Sequence, residues 1–258
     1  MVVARFEAPV HYAVIGCIHG NFPALQATME DIRSRGVERI VCLGDVVGHG
    51  PQPLECIDVV RSSCFITIRG DHDEAMILGS QGFIPKTARV LEWTREQIQS
   101  SDQAAERMEF LETTHDSFNS AGIAFHHGSP RSCHEYLFPS DVTKDPRKLR
   151  TAFTGVDKVC FHAHTHVPGV IVEDPLGWVP AQELDNYYHY KKGQRALVNV
   201  GSVGQPRDGD RRACYLEIQK NEMYWRRVEY DVDAVVQRLE ALSDVFTSDL
   251  AIRLQKGR

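Results

Sequence analysis

Apolar positions in this chain come in short blocks, and the spacing within each block predicts its element. Tyr12 to Gly16 is continuously apolar, as a strand buried on both faces requires. The following stretch, NFPALQATMEDIRSRG, spaces Leu25, Met29 and Ile32 at near-helical intervals. Asn21 is placed to cap that helix and Gly36 to close it. RIVCLGD then reads as a strand, PLECIDVVRSS as a helix and CFITIRGD as a third strand, an alternation that predicts an α/β sheet. Residues 85–113 read as two helical stretches parted near Ser100–Asp102. GIAFHHG and KVCFHAHTH read as strands on either side of a helix around KDPRKLRTAF. Beyond Gly169 short strands predominate (GVIVED, RALVNVGSV, ACYLEIQ, MYWRRVEY). They are followed by a helix in YDVDAVVQRLEAL and a helical tail over 244–258. No repeat, low-complexity tract or linker divides the sequence. The expectation is one α/β domain over residues 1–258, with two layers of sheet between helices.

Composition narrows the functional classes. A chain of 258 residues buries roughly 70–75% of its unfolded surface in one core. Its formal charge of -6 supplies no basic field for nucleic acid or anionic lipid, so neither is expected as a partner. A small anionic substrate would need local positive charge, from metal ions or a few arginines. The seven cysteines form no CxxC pair, which argues against a disulfide framework or zinc knuckle and for reduced thiols in a cytoplasmic protein. No apolar stretch reaches the ~18–20 residues of a membrane span. The N-terminus lacks a basic segment followed by a long apolar one. Oligomeric state has no sequence signal here.

Chemistry-bearing residues gather where strands should end. AVIG leads into Cys17-x-His19, IVCLG into Asp45, FITIRG into Asp71-His72-Asp73, IAFH into His127 and VCFHA into His164-x-His166. Taken singly, the cysteine reads as a buried hydrophobe and the aspartate as a turn residue. Together, five strand ends carrying thiol, imidazole and carboxylate predict a metal site, because ligand crevices lie outside the carboxyl ends of such strands. On an extended backbone residues i and i+2 share a face, so Cys17 with His19, and His164 with His166, are expected to present their groups together.

At these residues the chain resembles the calcineurin-like metallophosphoesterases, whose signature runs Asp-x-His, Gly-Asp, Gly-Asn-His-Asp/Glu, His and Gly-His-x-His. Here the blocks are Cys17-Ile18-His19, Gly44-Asp45, Gly70-Asp71-His72-Asp73, His127-Gly128 and Ala163-His164-Thr165-His166. HGNFPAL, GDVVGHGPQP, LEWTREQ, HGSPRSCHEYL and NVGSVGQPRDGD extend the likeness to a small bacterial branch described as diadenosine-tetraphosphatase-like, over residues 11–230. The resemblance implies a four-layer α/β/β/α sandwich of two mixed sheets flanked by helices. It further implies one or two divalent or trivalent metal ions, zinc or iron favoured over manganese. The first ion would take Cys17, His19 and His166, and the second Asp71, His127 and His164. Asp45 would bridge them, one carboxylate oxygen to each. The implied activity is hydrolysis of a phosphomonoester, phosphodiester or dinucleotide polyphosphate by in-line attack of a metal-bridging hydroxide. His72 is the implied general acid, with Asp73 as a candidate to orient it, and Arg207 a candidate phosphate contact.

Three residues depart from the family pattern. Cys17 replaces an aspartate with a softer, single-atom donor that favours zinc or iron. Asp71 replaces an asparagine, adding negative charge and removing a donor to substrate phosphate. Ala163 replaces a glycine and is expected to crowd the backbone before His164. These changes make a catalytically weakened, metal-binding regulatory or binding module the alternative function. Other metallohydrolase patterns fit less well: His166 and Val167 occupy the Asp and His places of HxHxDH, and no cysteine is followed by five residues and an arginine. His162 is a further candidate ligand, whereas Tyr136 and Trp93 read as packing, and Cys42, Cys64 and Cys160 as core. Substrate choice is expected in the loops 74–84, 131–145 and 175–194.

Overall fold

A computed structural model describes residues 11–258, so the N-terminal residues 1–10 read above for a leader pattern lie outside the described residues. In chain order the elements are β1 (His11–Ile15), α1 (Phe22–Ser34), β2 (Arg39–Cys42), α2 (Pro53–Ser63), β3 (Ile66–Thr67), α3 (Asp71–Leu78), α4 (Pro85–Gln99) and α5 (Ala104–Glu112). Next come β4 (Phe118–Ser120), β5 (Ile123–Phe125), α6 (Asp141–Lys144), α7 (Pro146–Phe153), β6 (Val159–His162), β7 (Gly169–Val172) and β8 (Gly177–Pro180). The chain finishes with β9 (Tyr187–His189), β10 (Ala196–Asn199), β11 (Ala213–Gln219), β12 (Glu222–Val228), α8 (Val232–Ala241) and α9 (Ser248–Lys256).

Two mixed six-stranded sheets result, ordered β3-β2-β1-β11-β12-β9 and β4-β5-β6-β10-β7-β8. The parallel pairs β1/β2, β2/β3, β5/β6 and β6/β10 carry the chemistry-bearing strand ends. β1 shows why its sequence is continuously apolar. Tyr12 and Val14 enter the core between the sheets, with Phe125, Phe161, Val198, Leu216 and Trp225. Ala13 and Ile15 face the helix layer, among Leu25, Met29, Ile32, Ile57 and Val60. On the second sheet's outer face, Leu149, Ala152 and Phe153 of α7 pack with Cys160, Ile171 and Leu197. Trp225 Nε1 of the first sheet donates to Asn199 O of the second at 2.8 Å, tying the layers near the site.

The C-terminal stretch does not trail away. Leu250, Ala251 and Leu254 of α9 are buried against α8 and against Val90 of α4. Three strands fall outside the regions read as strands: β4, β8 and β9, all at or beside sheet edges, where pairing rather than an apolar run defines them. No helix among the described residues is long and apolar enough to cross a membrane.

Candidate metal centre

Beyond β1 and β2 the two loops clasp each other. The Cys17 N–H donates to Gly44 O at 2.9 Å, and the N–H groups of Ile18 and His19 both donate to Asp45 O at 2.8 Å. The backbone there is not extended, contrary to the i, i+2 expectation. β1 stops at Ile15 and β6 at His162, and Cys17, His19, His164 and His166 all lie past those ends in left-handed conformation (φ 50°, 51°, 59° and 63°). Asp45 shares it at φ 51°. A non-glycine residue in this region costs on the order of 1–3 kcal/mol, so five of them at one centre mark a site held in place by its surroundings.

The convergence itself is present. Cys17, His19, Asp45 and His166 place one ligand atom each within 4.8 Å of one another, and so do Asp45, Asp71, His127 and His164. All seven residues are buried, and Asp45 belongs to both groups. Its two oxygens are not equivalent. Oδ1 accepts the His72 N–H at 3.0 Å, while Oδ2 lies 3.4 Å from both His19 Nε2 and His127 Nε2. One oxygen, rather than one for each ion, therefore faces both groups.

The donor sets fit cations. His127 Nδ1–H donates to Leu43 O at 2.6 Å and His166 Nδ1–H to Gln205 O at 2.6 Å, which orients each ring and leaves Nε2 to take a proton or a cation. His166 Nε2 then faces His19 Nε2 at 3.1 Å, and His127 Nε2 faces His164 Nδ1 at 3.0 Å. Asp71 Oδ1 sits 3.3 Å from both His127 Nε2 and His164 Nδ1 without a hydrogen bond. Buried imidazole nitrogens and carboxylate oxygens this close together need a proton or a cation between them.

The charges tell the same story. Burial raises the Cys17 thiol to about 12, against a lowering contribution from His127 and from the His164 N–H that reaches Sγ at 3.3 Å. Burial and the surrounding imidazoles hold His19 well below its ordinary value, so it stays neutral. Burial also opposes charge on His127, but Asp45 and Asp71 outweigh it and push its pKa well up. Asp71 is held far below the usual carboxylate range: burial opposes its charge, and His127 and His164 overcome that cost.

The family model for the calcineurin-like phosphoesterase superfamily domain matches residues 10–221. The chain belongs to that superfamily. An uncharacterised protein of Methanocaldococcus jannaschii is 33% identical over 238 residues, covering 88% of this chain and 90% of its own. The crystal structure of a metallophosphoesterase from Sphaerobacter thermophilus superposes with TM-score 0.78 at 31% identity, covering 96% of this chain and 99% of that one. A hypothetical protein from Pyrococcus horikoshii shares the fold at TM-score 0.72 and 20% identity, over 96% and 98% of the two chains. As a calcineurin-like phosphoesterase the chain has the family's two mixed sheets flanked by helices, and the family is metal-dependent.

At the candidate centre, α3 contributes Asp71 to the second group. FITIRG does not run as a strand into Asp71: β3 is two residues long and Asp71 opens the helix, where its charge meets the helix's positive end. Asp73 is not positioned to orient His72. Its oxygens accept the N–H groups of Val46 (2.9 Å), Val47 (3.3 Å) and Gly70 (3.1 Å). The ring beside His72 is instead His49, at 4.7 Å between centroids, and His19 lies 4.7 Å from His49 and 4.8 Å from His72. His49 was not singled out from the sequence although it sits inside GDVVGHGPQP; a histidine four residues after Asp45 was the available signal. Gly48, at φ +135°, makes this packing feasible: a Cβ there would lie 2.4 Å from His72 Nδ1 and 2.6 Å from His19 Nδ1.

Ala163 does not crowd its neighbours. Its methyl group is buried opposite Gly16, where a Cβ would come within 3.2 Å of it. His162 belongs to neither ligand group; Asn199 Nδ2 reaches its Nδ1 at 3.3 Å, and burial lowers its pKa to about 3. Tyr136 packs, but on the site: its ring stacks on His164 at 3.7 Å. Trp93 packs edge-on against Phe246 away from it, and Cys42 and Cys160 are core, with Cys64 only partly buried. A cleft of about 440 Å³ opens over the ligands, and His72, Tyr136 and Arg207 line it. Gln81–Ile84 and His134 border it as the loop expectation requires, but residues 175–194 do not. Thr247, Leu250 and Arg253 from the C-terminal region take that place.

Proposed function

We propose that this protein is a metal-dependent phosphoesterase acting on a small phosphorylated substrate, with two ions held by the two groups that share Asp45. The observation that carries this reading is the pair of buried acceptor clusters meeting at Asp45 Oδ2 under an open cleft. When bound, such an ion pair supplies hydroxide from water at neutral pH and neutralises phosphoryl oxygens. The chain's residues do the rest. Cys17, His19 and His166 hold the first position, and Asp71, His127 and His164 the second. Thiolate and carboxylates give the cage three negative charges, so two dications leave it net positive and attractive to phosphate.

His72 borders the cleft, is 6% exposed, and its Nδ1 has no partner. It is the general acid that protonates the leaving oxygen. Arg207 also lines the cleft, partly buried and with its Nε unpartnered, and it contacts the phosphate. Zinc or iron suits the thiolate of Cys17 better than manganese.

A panel of phosphomonoesters, phosphodiesters and dinucleotide polyphosphates tests the reading on metal-loaded wild type, His72→Gln and Cys17→Asp. Wild type is expected to hydrolyse at least one ester class, and His72→Gln to lower kcat by about 10²–10⁴-fold. Turnover by Cys17→Asp alone would favour the non-catalytic, metal-binding module.

A further inference from the structure

Two arginines line the cleft from distant parts of the chain, and neither pairs with an Asp or Glu side chain among the described residues. Arg207 Nη2 donates to the neutral Gln205 Oε1 at 2.8 Å, and its Nε is buried without a partner. Arg253 Nε donates to Arg258 O at 3.1 Å, and its Nη groups have no hydrogen bond among the described residues. Lys86, also at the cleft, differs, because Asp249 pairs with it at 2.8 Å. Burial disfavours the charge on Arg207, and the nearby Arg253 disfavours it further. Two like charges at one concave surface favour an anion between or beside them.

The arrangement is fixed by the backbone. Gly209 N–H, two residues after Arg207, donates to Gly257 O at 2.8 Å, and Arg258 N–H to Arg253 O at 2.9 Å. Gly257, at φ +63°, lies against the Asp210 backbone, where a Cβ would come within 2.6 Å. The end of α9 is thus stapled to the Arg207 loop, while Leu250, Ala251 and Leu254 anchor the helix from its other side. Arg253 lies beyond the matched superfamily region, which stops at residue 221.

We propose that Arg207 and Arg253 form a second anion subsite beside the metal centre, which selects substrates carrying another phosphoryl group next to the one at the ions. The guanidinium fork suits phosphoryl oxygens, and the metal-proximal phosphate leaves Arg253 free to take the neighbour. The substrate class rests on the phosphoesterase reading; the subsite itself does not.

The test is calorimetric titration of the metal-loaded full chain with methylenediphosphonate, which resists hydrolysis, and with orthophosphate, checking metal content after each run. Wild type is expected to bind the diphosphonate more tightly. Arg253→Gln should reduce the diphosphonate-to-orthophosphate affinity ratio about tenfold, as loss of a charged hydrogen bond does. Arg253→Lys, which keeps the charge, should restore much of it. An unchanged ratio in Arg253→Gln, or a wild type that does not distinguish the two anions, overturns the proposal. The expected ratios in a protein that hydrolyses no ester would uphold the subsite and remove the enzyme.

Discussion

A thiol at position 17 has to serve a centre that buries it completely. Burial holds the metal-free thiol near a pKa of about 12, so an ion must displace a proton to bind sulfur. Ion uptake by the first group should therefore strengthen as pH rises and weaken in acid, by about tenfold per pH unit for one released proton. Titrations of zinc between pH 6 and 8 measure the slope; a flat profile would mean that Sγ is not a ligand. Cys17→Asp substitutes a harder oxygen donor and should move preference toward manganese, read from competition between the two metals. Asp71→Asn removes one negative charge from the second group. It should lower ion affinity there and tighten orthophosphate binding in the loaded protein, both accessible to calorimetry.

Helix starts and loop crossings keep these side chains in register. Asn21 caps α1 through Oδ1 to Ala24 N–H at 3.2 Å, while its Nδ2 donates to Gly204 O at 2.8 Å, linking the loop after β1 to the loop that carries Gln205. Asn21→Ala should cost about 1–2 kcal/mol in denaturant unfolding. Much of this was legible in the sequence, because capping, helical spacing and buried apolar runs are local signals. α1, α2 and β11 fall where their patterns place them. The candidate ligand residues were legible for a similar reason: all but Asp71, which opens α3, lie within a few residues of the end of an apolar strand. The left-handed turns that aim them were not: His and Asp are enriched at positive φ but still seldom adopt it, and Cys17 carries no such preference. The position of Asp73 was equally hidden: its acceptors meet N–H groups 26 and 27 residues away. α9 read as a tail because only tertiary packing shows that its apolar stripe is covered and its Arg253 faces the cleft.

Across the whole molecule, both sheets and the loops between them meet at the ion positions. β1 and β2 supply Cys17, His19 and Asp45, and the second sheet supplies His127, His164 and His166. Ions bound there tie the layers together, and anything that binds only the folded state stabilises it. Saturation at 1,000 times Kd adds about 4 kcal/mol per site. Loaded protein should therefore melt well above chelator-treated protein, whereas Asp45→Ala, lacking the shared carboxylate, should melt alike in both. The central claim is that two ions share Asp45, and elemental analysis of metal-saturated, desalted protein tests it most directly. Two ions per chain in wild type and a loss from both positions in Asp45→Ala are predicted; a single ion in wild type, or full content in Asp45→Ala, would contradict it.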